Sequence, residues 1–179
     1  MNFKAFLSKS EELRKGYAAS LEPADKDFQK KWLEHFSYIP LFFEEIYTTC
    51  NGTKQNVSEQ MYFDFLPGYR LMQADEIIDI YEQDFKERPE YDLVIPFLAD
   101  YSGSYYAYAK DNHRECVVLI IDGDLEEIHF DVVDYWKTVI AFYDEGVYFL
   151  DEDGYLDYDF EKESEVGEKY NPQISHWRE

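Results

Sequence analysis

Cations are scarce in this chain. Lys and Arg number 17 against 39 Asp and Glu, for a formal net charge of −22. A protein that grips a phosphate backbone needs a basic face, so ordinary nucleic-acid binding is excluded, and attraction to an anionic membrane surface is disfavoured. Cysteine is also sparse. Cys50 and Cys116 stand far apart, with no CxxC or metal-ligand spacing, and read as reduced core residues, Cys50 at a helix end and Cys116 at the start of a strand. No apolar run is long enough to cross a bilayer, and the opening MNFKAFLSKSEELRK has no signal-like apolar segment, so the expected compartment is cytoplasmic.

Catalytic signatures are missing as well. There is no GxSxG, P-loop, GxGxxG or HExxH, and none of His35, His113, His129 and His176 stands four residues from another. Carboxylate pairs such as Glu126-Glu127 are what so acidic a chain produces by chance. Aligning Asp151-Glu152-Asp153-Gly154 on a calcium loop places Phe149 and Phe160 at its two anchoring positions, so this stretch reads as a turn. No catalytic residue, cofactor or metal is expected.

Aromatic residues are abundant, with 17 Tyr and 14 Phe. A disordered acidic segment lacks them, so the chain folds, and 179 residues suit one domain, 1–179. The centre is Leu93 to Phe130. Its runs Leu93–Leu98, Ser104–Ala109 and Cys116–Ile121 suit pleated strands, with Val117 to Ile121 the most buried. Asp122-Gly123 predicts a type I′ hairpin turn, and Pro96 predicts an edge or a bulge.

Around this meander the periodicity predicts helices. Phe3, Phe6, Leu7, Leu13 and Tyr17 mark the first, which ends near Gly16. Pro23 opens a second, with Phe28, Trp32, Leu33 and Phe36 as its stripe. Pro40 opens a third, stopped by Asn51-Gly52. Met61–Leu66 reads as a strand and Ala74 to Phe85 as a helix. Asp131 caps a helix carrying Val132, Trp136, Val139, Ile140 and Tyr143. Val147–Leu150 and Tyr155–Asp159 form a hairpin, Glu161–Lys169 a short exposed helix, and the last residues are expected to fray. The fold class is therefore α+β, an antiparallel sheet of about five to six strands with helices packed around it.

Strand alternation puts Tyr106 and Tyr108 on one face and Tyr105 on the other. Tyrosine beside carboxylates makes a surface suited to a cationic protein. Asp100, Tyr105, Tyr106, Tyr108, Asp122, Asp124, Glu126 and Glu127 are the expected partner-binding residues, on a monomer or weak dimer.

The order of segments resembles the SUKH superfamily (Smi–Knr type) over residues 22–172, with 1–20 as an additional N-terminal helix. The likeness rests on Ile39-Pro40 before FFEEIYTTCNG, then FLPGYRLMQADEII, IPFLADYSGSYYAYAK and CVVLIIDGDLEEIHF, and finally GVYFLDEDGYLDYD and KYNP. It departs from the family at Ser104 and at Ile120-Ile121. The resemblance implies an α+β fold without catalysis. It further implies either an immunity protein that neutralises a cognate toxin, often a nuclease, of a polymorphic or contact-dependent system, or a regulatory scaffold related to cell-wall synthesis.

Overall fold

A computed structural model describes residues 2–178. Asn2 starts the first helix, its Oδ1 accepting the Ala5 N–H at 3.2 Å. Helix α1 (Phe3–Leu13) buries Phe3, Phe6 and Ser10, and a single turn, α2 (Tyr17–Ser20), follows. Strand β1 (Leu21–Pro23) comes next. Pro23 ends this strand opposite Cys50 instead of opening a helix. Helix α3 (Phe28–His35) begins five residues later and buries Phe28 and Trp32, while Leu33 points outward at 54 % exposure.

Helix α4 (Leu41–Tyr47) follows Pro40 as expected, but it stops before Asn51-Gly52. The Thr48 and Thr49 hydroxyls donate to the carbonyls of Glu44 and Glu45, closing its last turn. Cys50 therefore lies in strand β2 (Cys50–Thr53), paired antiparallel with β1. Gly52 has a different task from a helix cap. Its φ is 86°, and a Cβ there would meet the Met72 carbonyl oxygen at 2.6 Å, so only glycine lets β2 lie against Leu71-Met72.

Met61–Leu66 is not a strand. It is a 3₁₀ turn (Gln60–Tyr62) followed by irregular chain, with Leu66 bridging only to Tyr69. The carbonyls of Met61, Asp64 and Phe65 accept from the buried Arg14 guanidinium, so they are not free for a ladder. The two-residue strand β3 (Arg70–Leu71) and helix α5 (Ala74–Ile80) follow, and α5 continues into one π turn at Tyr81–Phe85.

The meander forms as expected: β4 (Leu93–Ala99), β5 (Tyr105–Lys110), β6 (Glu115–Ile121) and β7 (Asp124–His129). With β3 they make a five-stranded antiparallel sheet in the order β3-β4-β5-β6-β7. A register shift at Pro96–Leu98 supplies the bulge that Pro96 predicts. Asp122 and Gly123 both have positive φ, 52° and 88°, as a type I′ turn requires. Ile121, at the end of β6, is about half exposed.

Helix α6 (Val132–Asp144) is capped by Asp131, which accepts the Asp134 N–H at 2.7 Å. The hairpin β8 (Tyr148–Leu150) and β9 (Leu156–Tyr158) leads into α7 (Phe160–Tyr170). Residues 175–178 are held, not frayed. Trp177, in a closing 3₁₀ turn (Ser175–Arg178), is buried and donates to the Ile128 carbonyl at 2.6 Å.

The architecture is α+β, with helices and loops covering both faces of the sheet. One face carries Ile95, Phe97, Tyr108, Val117 and Leu119 under α1, α4 and α6, and side chains from Phe3 to Trp177 share this core. The other face is thin. Ala107 and Ala109 leave room for Phe85 and Tyr91 to lie on Val94, Cys116, Val118 and Ile120. Each large apolar side chain so enclosed contributes about 1.5–3 kcal/mol.

Candidate functional site

The β4–β5 and β6–β7 turns lie at the same end of the antiparallel sheet, so Asp100, Tyr105, Tyr106, Asp122 and Asp124 are brought to that end. They do not form one surface there. Asp100 is turned inward on its own loop. Its Oδ1 accepts the N–H groups of Ser102, Gly103 and Ser104 at 2.7–2.8 Å, and its Oδ2 accepts the Ser102 hydroxyl. Burial opposes its ionisation, but these donors outweigh burial and hold the carboxyl below its ordinary range.

Tyr105 and Tyr106 are half-buried on opposite faces. Tyr105 meets Phe85 edge-on at 5.5 Å, and Tyr106 meets Tyr69 at 4.7 Å. Tyr108 has no exposed surface. It packs between Phe42 and Phe43, because β5 carries it one pair further under α4, so it is removed from the expected contact surface. Glu127 is neutralised by a bidentate pair with Arg114, and the Tyr91 hydroxyl donates to it at 3.3 Å. Glu126 lies 3.2 Å from His176 on the β7 edge. Of the expected acidic residues, only Asp122 and Asp124 stand exposed and without an ion-pair partner among the described residues.

A different surface has the expected chemistry. Phe149, Tyr155, Tyr158 and Phe160, on the β8–β9 hairpin and the first turn of α7, are all exposed, Phe160 by 68 %. The Tyr155 ring stacks with Phe63 at 6.2 Å, and Tyr101, 71 % exposed, donates its hydroxyl to Asp64 at 3.4 Å beside them. Glu152, Asp153, Asp157 and Glu161 stand between these aromatics in the sequence, Asp157 opposite Phe149 in the register, and form no ion pair among the described residues. Asp151 organises the hairpin turn by accepting the N–H groups of Asp153 and Tyr155. In sequence these aromatics read as ordinary strand and helix positions. Only the absence of a covering layer makes them a surface.

One carboxylate on this face breaks the pattern of its helix. Residues 163, 166, 167 and 170 line the inner side of α7, where Val166 and Gly167 are buried and Tyr170 packs on the core. At the fourth place stands Glu163, half-buried, with no hydrogen-bond or ion-pair partner among the described residues. Burial pushes its carboxyl up to about 7.

Next to Tyr101, a polar cleft of about 420 Å³ is lined by Thr53, Phe63, Arg70, Gln73 and Glu76. Arg70 grips Glu76 through two hydrogen bonds, one of 2.8 Å. Both cysteines are buried, and burial pushes their thiols up to about 11, away from the reactive thiolate. Burial also keeps His129 neutral, at about 3. Among the described residues, no group of three or more His, Cys, Asp or Glu side chains is arranged to hold a metal ion, and no helix is long and apolar enough to cross a membrane. Compared with protein-family models and with curated proteins, the chain matches none.

Proposed function

We propose that this protein is a non-catalytic immunity protein of the SUKH type, which binds and neutralises a cationic toxin domain, a nuclease being the chemistry that fits best. The observation that carries this reading is the β8–β9 hairpin with the first turn of α7, where four exposed aromatic residues are interspersed in the sequence with carboxylates that form no ion pair among the described residues. Aromatic side chains supply contact area at low entropic cost, and a one-signed field steers an oppositely charged partner. A nuclease must be basic to hold phosphates, so an acidic, ring-bearing surface complements it. The order of segments noted above supports the same reading.

Co-expression tests it. A toxin domain encoded beside this gene is induced in a susceptible host with and without this protein. Growth rescue with a co-purifying complex is the expected result. Failure to rescue, with both proteins folded and expressed, sinks the immunity reading and favours a scaffold that binds a partner in its own cell.

A further inference from the structure

We infer that the cleft between Tyr101 and the Arg70–Glu76 pair is a binding site for a neutral saccharide. The inference goes beyond the proposed immunity role and does not depend on it.

The cleft encloses about 420 Å³, within the range of about 300–1,000 Å³ found for small-molecule sites. Its walls come from fixed elements. Thr53 ends β2, Arg70 opens β3, and Gln73 and Glu76 flank the start of α5. Asn51 Oδ1 accepts the Ala74 N–H at 3.0 Å, so β2 caps α5 and the Gln73 side chain is left to line the cleft. Phe63 and Tyr101 stand opposite in the lining.

Charge decides what the cleft excludes. Arg70 and Glu76 hold each other through two hydrogen bonds, so neither offers its fork to an outside ion. The other cation of the lining, Lys54, turns its Nζ toward the Ala19 carbonyl at 3.5 Å. An anion therefore lacks a bidentate anchor and meets the field of a chain of net charge −22, while a cation meets Arg70 and Lys54. A neutral ligand bears neither penalty.

Hydrogen-bond capacity then favours hydroxyl groups. The Arg70 guanidinium has N–H donors beyond those that Glu76 takes, and each Glu76 oxygen keeps a second lone pair. Gln73 donates from Nε2 to the Thr53 carbonyl at 3.4 Å, and its Oε1 has no donor among the described residues. Donors and acceptors thus stand side by side. A sugar hydroxyl is both, so adjacent hydroxyls of one ring satisfy adjacent groups of both kinds.

Tyr101 supplies the platform. Its ring is 71 % exposed, yet it is held from both sides. Asp100 accepts three N–H groups of the loop that carries it, and the Tyr101 hydroxyl donates to Asp64, which the Gly68 N–H fixes at 2.9 Å. A ring so held loses little freedom when a ligand settles on it. The C–H face of a sugar is slightly positive and suits the negative face of an aromatic ring. Phe63 already stacks on Tyr155, which leaves Tyr101 as the open platform. One platform suits a sugar, whereas a planar base favours a ring on each side.

The test titrates the isotope-labelled full chain, followed by amide NMR, with glucose, mannose, galactose and N-acetylglucosamine. Sodium phosphate, methylguanidinium and adenosine are titrated separately. The expected result is saturable shifts of the Gln73 side-chain amide and the Tyr101 backbone amide with one or more of the sugars, at a Kd of about 1 mM or tighter. Raising salt from about 0.05 to 0.5 M should leave that Kd within about twofold, as for an uncharged ligand. Tyr101→Ala, at an exposed position, should weaken binding by about threefold to tenfold, and Gln73→Ala by about threefold or more. Phe160→Ala, outside the cleft, should change it by less than about twofold. No shift with any sugar overturns the inference. So does tighter binding of phosphate, methylguanidinium or adenosine at the same amides, or an equal loss in Tyr101→Ala and Phe160→Ala. The outcomes separate from those of the growth assay. Sugar binding without rescue removes the toxin reading alone. Rescue that requires Tyr101, with no sugar shift, gives the cleft to the protein partner and removes the saccharide.

Discussion

The Arg14 guanidinium lies 3.7 Å over the ring of Tyr17 and has no carboxylate partner among the described residues. It is fully buried and instead donates to the carbonyls of Met61, Asp64 and Phe65 and to the hydroxyls of Ser10 and Tyr143. One charge thus replaces a strand ladder. Arg14→Met should leave those carbonyls unsatisfied and lower stability by roughly 3 kcal/mol, at about 1–3 kcal/mol per group less what entering water recovers. Arg14→Lys should recover only part of this, because one ammonium cannot span five acceptors. Urea unfolding decides it, and a full-strength Arg14→Met variant would refute the account.

Gly167 sits beneath Trp177, and a Cβ there would fall 2.2 Å from the indole. Alanine gains about 1 kcal/mol of helix propensity over glycine. Displacing the indole costs more, about 2–3 kcal/mol of lost burial plus its bond to the Ile128 carbonyl. Gly167→Ala should therefore destabilise the protein by about 2–3 kcal/mol and increase the solvent exposure of the tryptophan fluorescence. Adding the substitution to Trp177→Ala should instead stabilise that variant, because the clash is gone.

His129 donates from Nδ1 to Asn171 Oδ1 at 3.2 Å, since the Asn171 amide nitrogen already donates to Thr138 and Gly167. Burial lowers its folded-state value from 6.5 to about 3. Below pH 6.5 the unfolded chain takes up a proton that the folded chain refuses, so this contribution is present above 6.5 and lost as pH falls toward 3. Unfolding midpoints measured from pH 7 to pH 4 should decline, and His129→Gln should reduce that decline.

Glu163 carries the opposite sign. Its folded-state value is raised from 4.5 to about 7, so its contribution is present below 4.5 and lost as pH climbs through 7. Glu163→Gln should match the parent in thermal stability at pH 4 and exceed it at pH 8. Equal melting temperatures at both values would show that the carboxylate is well solvated.

Charge reversal separates the two ends of the acidic surface. Glu152→Lys with Asp157→Lys should slow association with a cationic toxin domain by about tenfold at low salt, and Asp122→Lys with Asp124→Lys by far less. Glu127 belongs in neither set, since its reversal would break the Arg114 pair and confound binding with folding. Stopped-flow rates across salt concentrations read the difference, and equal slowing by both pairs would disperse the proposed face.

Features set by near neighbours were legible in the sequence. The Asp122-Gly123 turn, the Asp131 cap, the Pro96 bulge and the opposite facing of Tyr105 and Tyr106 each follow from a few adjacent residues. Errors arose where a distant group intervened. Met61–Leu66 lost its strand to Arg14, 47 residues away at the nearest carbonyl, and the C-terminal turn is held by Ile128, 49 residues from Trp177.

The sequence by itself determined the charge, the antiparallel meander and the richness in tyrosine, because composition and side-chain period are local properties. Tertiary structure alone decided which tyrosines meet solvent and which carboxylates keep a cation. Alternation divides a strand into two faces but is silent on what covers each. Here α4 closes over Tyr108, Arg114 takes Glu127, and Tyr155 and Phe160 stay exposed among the described residues. Burial and pairing depend on elements brought together from far along the chain, so the candidate surface moved from the central strands to the hairpin and α7.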